Sequence, residues 1–263
     1  MTDHLVLDTL TVSIKDGVID LQINRPEKLN AINPQLVADM HRALAGFAYR
    51  GDARVMVLSG AGRAFCAGYD VGGGKKGDIR EDWIASERFA GVYAALEAAP
   101  VLKIARVQGF AMGAGLILST MCELRYATPD ATFGVPELDL GIPFSMSGVH
   151  RLARYIGITR TADMVINCRR MDAQEAKQAG LVTDVFPAQE IEAEVEKIAA
   201  RAARRPALLL LETQIALREA GEELAPASRN DLAAMFLARQ DGECAAVGAA
   251  YAQRFRRADA SQG

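Results

Sequence analysis

The chain is poor in the residues that bind metals and build disulfide frameworks. Its 263 residues include four widely spaced cysteines, Cys66, Cys122, Cys168 and Cys244, and three scattered histidines, His4, His41 and His150. No C-x-x-C pair occurs, so neither a zinc site nor a disulfide scaffold is expected, and a reducing, cytoplasmic setting is the simplest reading. Surplus positive charge is also missing. The formal net charge is -3, whereas nucleic-acid binding calls for a basic face, so no nucleic-acid partner is expected. No apolar run reaches the ~18 residues of a membrane span. The opening MTDHLVLDTL lacks a basic stretch followed by an apolar one, so no signal peptide is expected either. Internal repeats, low-complexity tracts and long linkers are absent as well.

What the chain does have is material for a core. Half of its residues are hydrophobic and 24% are charged, which suits one large globular domain. Residues 5–24 read as two strands around Lys15-Asp16-Gly17, with Leu10, Val12 and Ile14 alternating before the turn. Pro34 opens a helix with apolar positions at Leu36, Val37, Met40, Leu44 and Phe47. Residues 55–58 read as a buried strand. Phe89, Val92, Tyr93 and Leu96 mark a helix ahead of Pro100, and 101–107 reads as another strand. From about 145 onward helices dominate, over 173–180, 188–204, 206–219 and 229–257, with one short strand at 182–186. This order predicts one α/β domain with a C-terminal helical extension.

Two glycine-rich stretches are decoys. GGGKKG at 72–77 satisfies G-x-G-x-x-G without following a strand, and GAGRAF at 60–65 follows a strand but lacks the third glycine. Neither predicts a dinucleotide site, and 72–82 reads as a mobile surface loop. The candidate chemistry lies in AFCAGYD (64–70) and GFAMGAGLI (109–117). Each reads as a strand, a small-residue turn and a helix start. Small residues admit a ligand close to the backbone, and a helix start leaves N–H groups unpaired. Two such turns face to face would offer two fixed donors to one developing oxyanion. The same pattern also serves plain packing, and the residues alone leave both readings open. Ser119, Ser145 and Ser147 lie in no G-x-S-x-G elbow, so no serine nucleophile is expected.

Five segments in order resemble the crotonase superfamily, the enoyl-CoA hydratases and isomerases, over nearly the whole chain. They are INRPEKLNAIN (23–33), AFCAGYD (64–70), VQGFAMGAGL (107–116), ATFGVPELDLGI (131–142) and AQEAKQAGLVTDVFP (173–187). The resemblance implies a ClpP/crotonase-like α/β fold. A parallel-sheet spiral core over 1–200 would carry the site, and 201–263 would form a helical trimerisation region. It also implies an acyl-CoA thioester as substrate, with coenzyme A as part of the substrate and no separate cofactor or metal. Homotrimers, often paired into hexamers, are the family's usual assembly. Leu232, Met235, Phe236 and Leu237 are then expected to face a partner subunit.

By position, the backbone N–H groups of Tyr69 and Ala114 would hold the thioester oxygen. Glu137 matches one of the hydratases' two catalytic glutamates. The other falls on Ile117, which cannot orient water or move a proton. Lys28, Leu29, Ala31 and Ala67 lie where the family binds adenine and pantetheine, and Asp70 and Ile117 complete the implied substrate-binding set. Arg254, Arg256 and Arg257 either meet the CoA phosphates or form a solvated helix end. Residues 72–82 and 144–147 would shape the acyl pocket. Glu123 reads as a hydrogen-bonded structural acid and His150 as a helix-packing residue.

A single carboxylate favours double-bond isomerisation over hydration, because one base can remove a proton and return it elsewhere. Hydration on Glu137 alone, thioester hydrolysis, decarboxylation and retro-aldol cleavage are the alternatives. A catalytically silent acyl-CoA-binding protein is an alternative of another class. The missing carboxylate at 117 argues for it, and the retained Glu137 argues against it.

Overall fold

Alternating apolar residues set the first strands, and the computed structural model describes residues 3–70, 78–224 and 231–260, with backbone alone at 222–224, 231–235 and 254–260. The strands are β1 (His4–Val6), β2 (Leu10–Lys15), β3 (Val18–Ile23), β4 (Val55–Gly60), β5 (Leu102–Val107), β6 (Phe110–Met112), β7 (Leu124–Ala127), β8 (Thr132–Gly134), β9 (Met171–Asp172) and β10 (Asp184–Val185). Seven of them form one sheet in the order β1-β2-β3-β4-β5-β7-β10, and β6-β8-β9 form a smaller one. The main sheet is antiparallel at β1-β2-β3 and parallel from β3 onward. β4 is buried along its whole length, as a strand covered on both faces must be.

The helices are α1 (Pro34–Phe47), α2 (Ile79–Ala98), α3 (Ala114–Thr120), α4 (Gly148–Ile166), α5 (Ala173–Gln178), α6 (Ile191–Ala203), α7 (Ala207–Leu224), α8 (Asp231–Gln240) and α9 (Gly242–Ala260). Ile191, Val195, Ala199 and Ala203 of α6 pack against Val55, Val57, Ile104 and Tyr126, on one face of the main sheet. Met56, Leu58 and Ala105 point the other way, into the larger core shared with α1, α2, α3 and the small sheet. The mixed α/β, largely parallel architecture agrees with the sequence reading.

Three local expectations change. The helix expected over 229–257 is two helices, because Asp241 interrupts it and its Oδ1 accepts the N–H groups of Glu243 and Cys244, both at 3.0 Å. Residues 79–82 are helical rather than loop, since Asp78 is the N-cap of α2. The GGGKKG stretch lies outside the described residues. Phe236, expected at a subunit interface, is buried within its own chain against Trp83 at a ring separation of 5.0 Å, whereas Leu237 is exposed.

Asn30 ties two of the five segments together. Its Oδ1 accepts the Arg25 N–H at 2.8 Å, and its Nδ2 donates to the carbonyls of Ala61 and Ala64 at 2.8 and 2.7 Å. The side chain is fully buried at a backbone φ of 58°. Asn30→Ala is expected to destabilise the protein by about 2–4 kcal/mol, from three lost bonds of roughly 1 kcal/mol each and a left-handed backbone that alanine disfavours. Urea unfolding checks this, and an unchanged midpoint would contradict it.

Candidate active site

The two small-residue segments run side by side. Phe65 N–H donates to Gln108 O at 2.8 Å, Cys66 N–H to Phe110 O at 2.9 Å, and Met112 N–H to Cys66 O at 3.1 Å. Residues 64–70 do not begin a helix, contrary to the sequence reading. Instead Tyr69 lies beside Ile32 in an extended bridge, with Ile32 N–H donating to Gly68 O at 2.7 Å and Asp70 N–H to Ile32 O at 2.8 Å. That pairing uses the Gly68 carbonyl and the Asp70 N–H and directs the Tyr69 N–H away. No protein acceptor takes the Tyr69 N–H among the described residues.

The second segment does start a helix. Ala114 is the first residue of α3, so its N–H has no partner within the helix, and no other described residue accepts it. Gly113 precedes it at φ 50° and ψ −118°, a conformation open to glycine. Its amide is fixed by donation to Gly134 O at 2.8 Å. Tyr93 Oη donates to Ala114 O at 2.8 Å and pins the same turn from beneath.

Glu137 reaches this turn from the segment after β8. A methyl group placed on Gly113 would stand only 2.3 Å from Glu137 Oε1, so the carboxylate lies directly over the glycine next to Ala114. The N–H groups of Leu140 and Ile142 both donate to Glu137 O at 3.0 Å and lock the local turn. Glu137 is 9% exposed, and its Oε2 has no hydrogen-bond partner among the described residues. Burial therefore raises its pKa to about 7.

A cavity of about 220 Å³ opens here. Ala67, Tyr69, Ala114, Ile117 and Glu137 all line it, so the structure brings together five of the nine residues implied by sequence. Phe89, Phe144 and Met146 form apolar wall, which places the 144–147 stretch at the pocket as expected. Ile117 is 4% exposed and contributes only hydrocarbon where a second carboxylate was sought.

The other four implied residues sit nearby but do not line this cavity. Leu29 O accepts the Ala67 N–H at 3.0 Å, and Lys28 and Ala31 flank it on the same turn. Asp70 pairs with Arg25 at 3.3 Å, and Arg25 also donates to Ala31 O, so Asp70 braces that turn. Glu123 accepts from both the backbone N–H of Lys103 at 2.7 Å and its Nζ at 2.9 Å, as a structural acid would. That pair borders a separate cavity of about 340 Å³ between α4 and α7. His150 does not line the active-site cavity. The side chains of Arg254, Arg256 and Arg257 lie outside the described residues.

Sequence reasoning missed Arg239 and Tyr251, which reach the cavity from α8 and α9, and placed Asp82 of α2 there only as part of the 72–82 stretch. Asp82 and Arg239 pair with each other at 3.2 Å. A signal for Tyr251 existed: Gly248 lies three residues before it on a helix, and a glycine on a helical face marks close approach. Cys66 is fully buried and its thiol is pushed up to about 12, which keeps it protonated and inert.

Two unpaired amides beside a buried carboxyl that titrates near neutrality suit one kind of chemistry: proton transfer next to a polarised carbonyl. The family model for enoyl-CoA hydratase/isomerase matches residues 13–248. The chain belongs to this family. It is 34% identical over 216 residues to the 2,3-dehydroadipyl-CoA hydratase of Escherichia coli K12, covering 82% of this chain and 84% of that one. It is 30% identical over 200 residues to the peroxisomal Delta(3,5)-Delta(2,4)-dienoyl-CoA isomerase of Arabidopsis thaliana, covering 71% of each. The crystal structure of an enoyl-CoA hydratase from Mycobacterium avium subsp. paratuberculosis K-10 superposes with a TM-score of 0.82 at 28% identity, over 93% of this chain and 99% of that one. The crotonase fold and family membership inferred from the five segments are therefore correct. This family member is an acyl-CoA enzyme with hydratases and isomerases among its relatives. No helix among its described residues is long and apolar enough to cross a membrane.

Proposed function

We propose that the protein shifts double bonds in enoyl-CoA thioesters faster than it adds water to them. The observation that carries this reading is the presence of Glu137 and Ile117 in one cavity: a carboxylate over Gly113, and hydrocarbon at 117 in the same lining. The second acid lining the cavity, Asp82, is engaged by Arg239.

In this reading the Tyr69 and Ala114 amides hold the thioester oxygen and acidify the carbon beside it. Glu137 takes the proton from C2 of a 3-enoyl thioester and returns it to C4. Lys28, Leu29, Ala31, Ala67 and Asp70 frame the coenzyme A arm, largely through backbone. The chemistry is acid–base throughout, so coenzyme A enters only as part of the substrate. Residues 1–200 carry most of the site, Arg239 and Tyr251 reach it from the C-terminal region, and 201–263 also join subunits into a trimer or a pair of trimers. The exposed Leu208, Leu209 and Leu237 support that assembly. Light scattering showing only monomer at micromolar concentration would reject it.

Water addition is the second reading, supported by the likeness to the dehydroadipyl-CoA hydratase. Purified protein given 3-enoyl-CoA and 2-enoyl-CoA of several chain lengths separates the two. Faster isomerisation is expected. Faster water addition would reject the preference, and tight binding with no turnover would favour a silent acyl-CoA-binding protein.

A further inference from the structure

We propose that Tyr251 is a second catalytic residue of this site, its phenol oxygen holding the water that Glu137 deprotonates when water adds to a 2-enoyl thioester. The proposal rests on the reading of Glu137 just given. In a two-carboxylate site the partner acid stands on α3, and here that position is Ile117. The substitute comes from α9 instead.

Two glycines make this possible. A methyl group added to Gly141, four residues past Glu137, would lie 2.1 Å from Cys244 O of α9. One added to Gly248 of α9 would lie 2.8 Å from Leu140 O. Helix and turn therefore meet backbone to backbone, and any side chain at either position forces them apart. Tyr251 follows Gly248 by three residues, so both lie on one helix face, the face turned to the Glu137 segment. Tyr251 accordingly lines the same cavity as Glu137.

The chemistry of the phenol fits a holding role. Burial raises the Tyr251 pKa, and the carboxylates of Asp139 and Glu137 add to the rise, with Cys168 acting the same way and Arg170 opposing. The group stays neutral across the working range and serves as a hydrogen-bonding partner rather than a proton carrier. The step balances without it being consumed. Glu137 takes one proton from water while the oxygen bonds to C3 and the C2–C3 π electrons move toward the thioester oxygen. Tyr251 Oη accepts the water's other hydrogen and fixes the attacking lone pair. Glu137 then returns its proton to C2. Isomerisation uses no water and does not need the phenol.

The test is Tyr251→Phe, with water addition and double-bond shift measured on the same preparation. The expected result is a kcat for water addition lower by about tenfold or more, below the 10²–10⁴-fold of a group that itself moves the proton. Isomerisation should fall by less, so that the ratio of the two kcat values drops by about tenfold. Equal losses in the two reactions would mark Tyr251 as structural and overturn the proposal. So would unchanged water addition, or no water addition by the unaltered protein. An inert Glu137→Gln substitution would instead defeat the site reading itself, so the two failures are told apart.

Discussion

Glu137→Gln is expected to slow turnover of every accepted enoyl-CoA by about 10²–10⁴-fold, the usual loss on removing a general base, with CoA-ester binding retained. It is also expected to stabilise the protein above neutral pH. Glu137 is buried with no counter-ion among the described residues, and burial lifts its pKa from 4.5 to about 7 against a backbone hydrogen bond that lowers it. The folded state therefore holds its proton more tightly than the unfolded chain. Stability contributed by the protonated form is fully present below about 4.5 and is lost as pH rises through 7. The difference of 2.5 units corresponds to roughly 3 kcal/mol at pH 8. Glutamine carries no charge and escapes that penalty. Thermal unfolding should show the variant more stable at pH 8 and equal to the parent near pH 4.5. In the parent, kcat/KM should rise with pH through about 7, because the base acts as carboxylate. Unchanged turnover would remove Glu137 as the base. An equal stability difference at both pH values would show that its charge is not the cause.

That carboxyl was legible in the sequence only by position within the GVPELDLG pattern. Its surroundings were not, because burial is a tertiary property and a glutamate after Pro136 reads as solvent-exposed by default. The same limit applies along the chain. Strands β2 to β5 were visible because each is six residues long and its apolar residues alternate, or in β4 run unbroken over 55–58. Strands β7, β8 and β9 span four, three and two residues, too few to show a period. The break between α8 and α9 was hidden by apolar spacing that continues across it. The Asp241-Gly242 step was the readable clue, since aspartate caps a helix start and glycine interrupts one. Tyr69 and Ala114 line one cavity, but the geometry around Tyr69 was misjudged. Gly68 at φ 100° feeds an extended bridge to Ile32 rather than a helix, and that contact spans 37 residues of sequence. The covering role of α8 and α9 was least legible, because a helix's pattern gives its apolar face and not the surface that face meets.

Gly113→Ala is expected to cost as much activity as losing a donor outright, about 10²–10³-fold in kcat/KM. The added methyl would stand 2.3 Å from Glu137 Oε1 and 3.1 Å from its Cδ, far inside contact distance. At φ 50° and ψ −118° an L-residue is also strained, so the peptide leading into Ala114 must rotate or Glu137 must leave. Either response separates the base from the Ala114 amide, and the reaction needs both within reach of one thioester. General destabilisation is the competing explanation, and Gly157→Ala isolates it. Gly157 lies at φ 75° with nothing within 4 Å of an added methyl, and it does not line the cavity. At ψ 164° it too lies in a region open essentially to glycine alone, with strain of about 1–3 kcal/mol and no clash at the site. Comparable melting temperatures for the two variants are expected, with kcat/KM lost only in Gly113→Ala. If both variants lose activity alike, strain alone accounts for the loss. If Gly113→Ala keeps its activity, the carboxylate and the amide do not act on one substrate atom pair, and the reading of this turn as the oxyanion site falls.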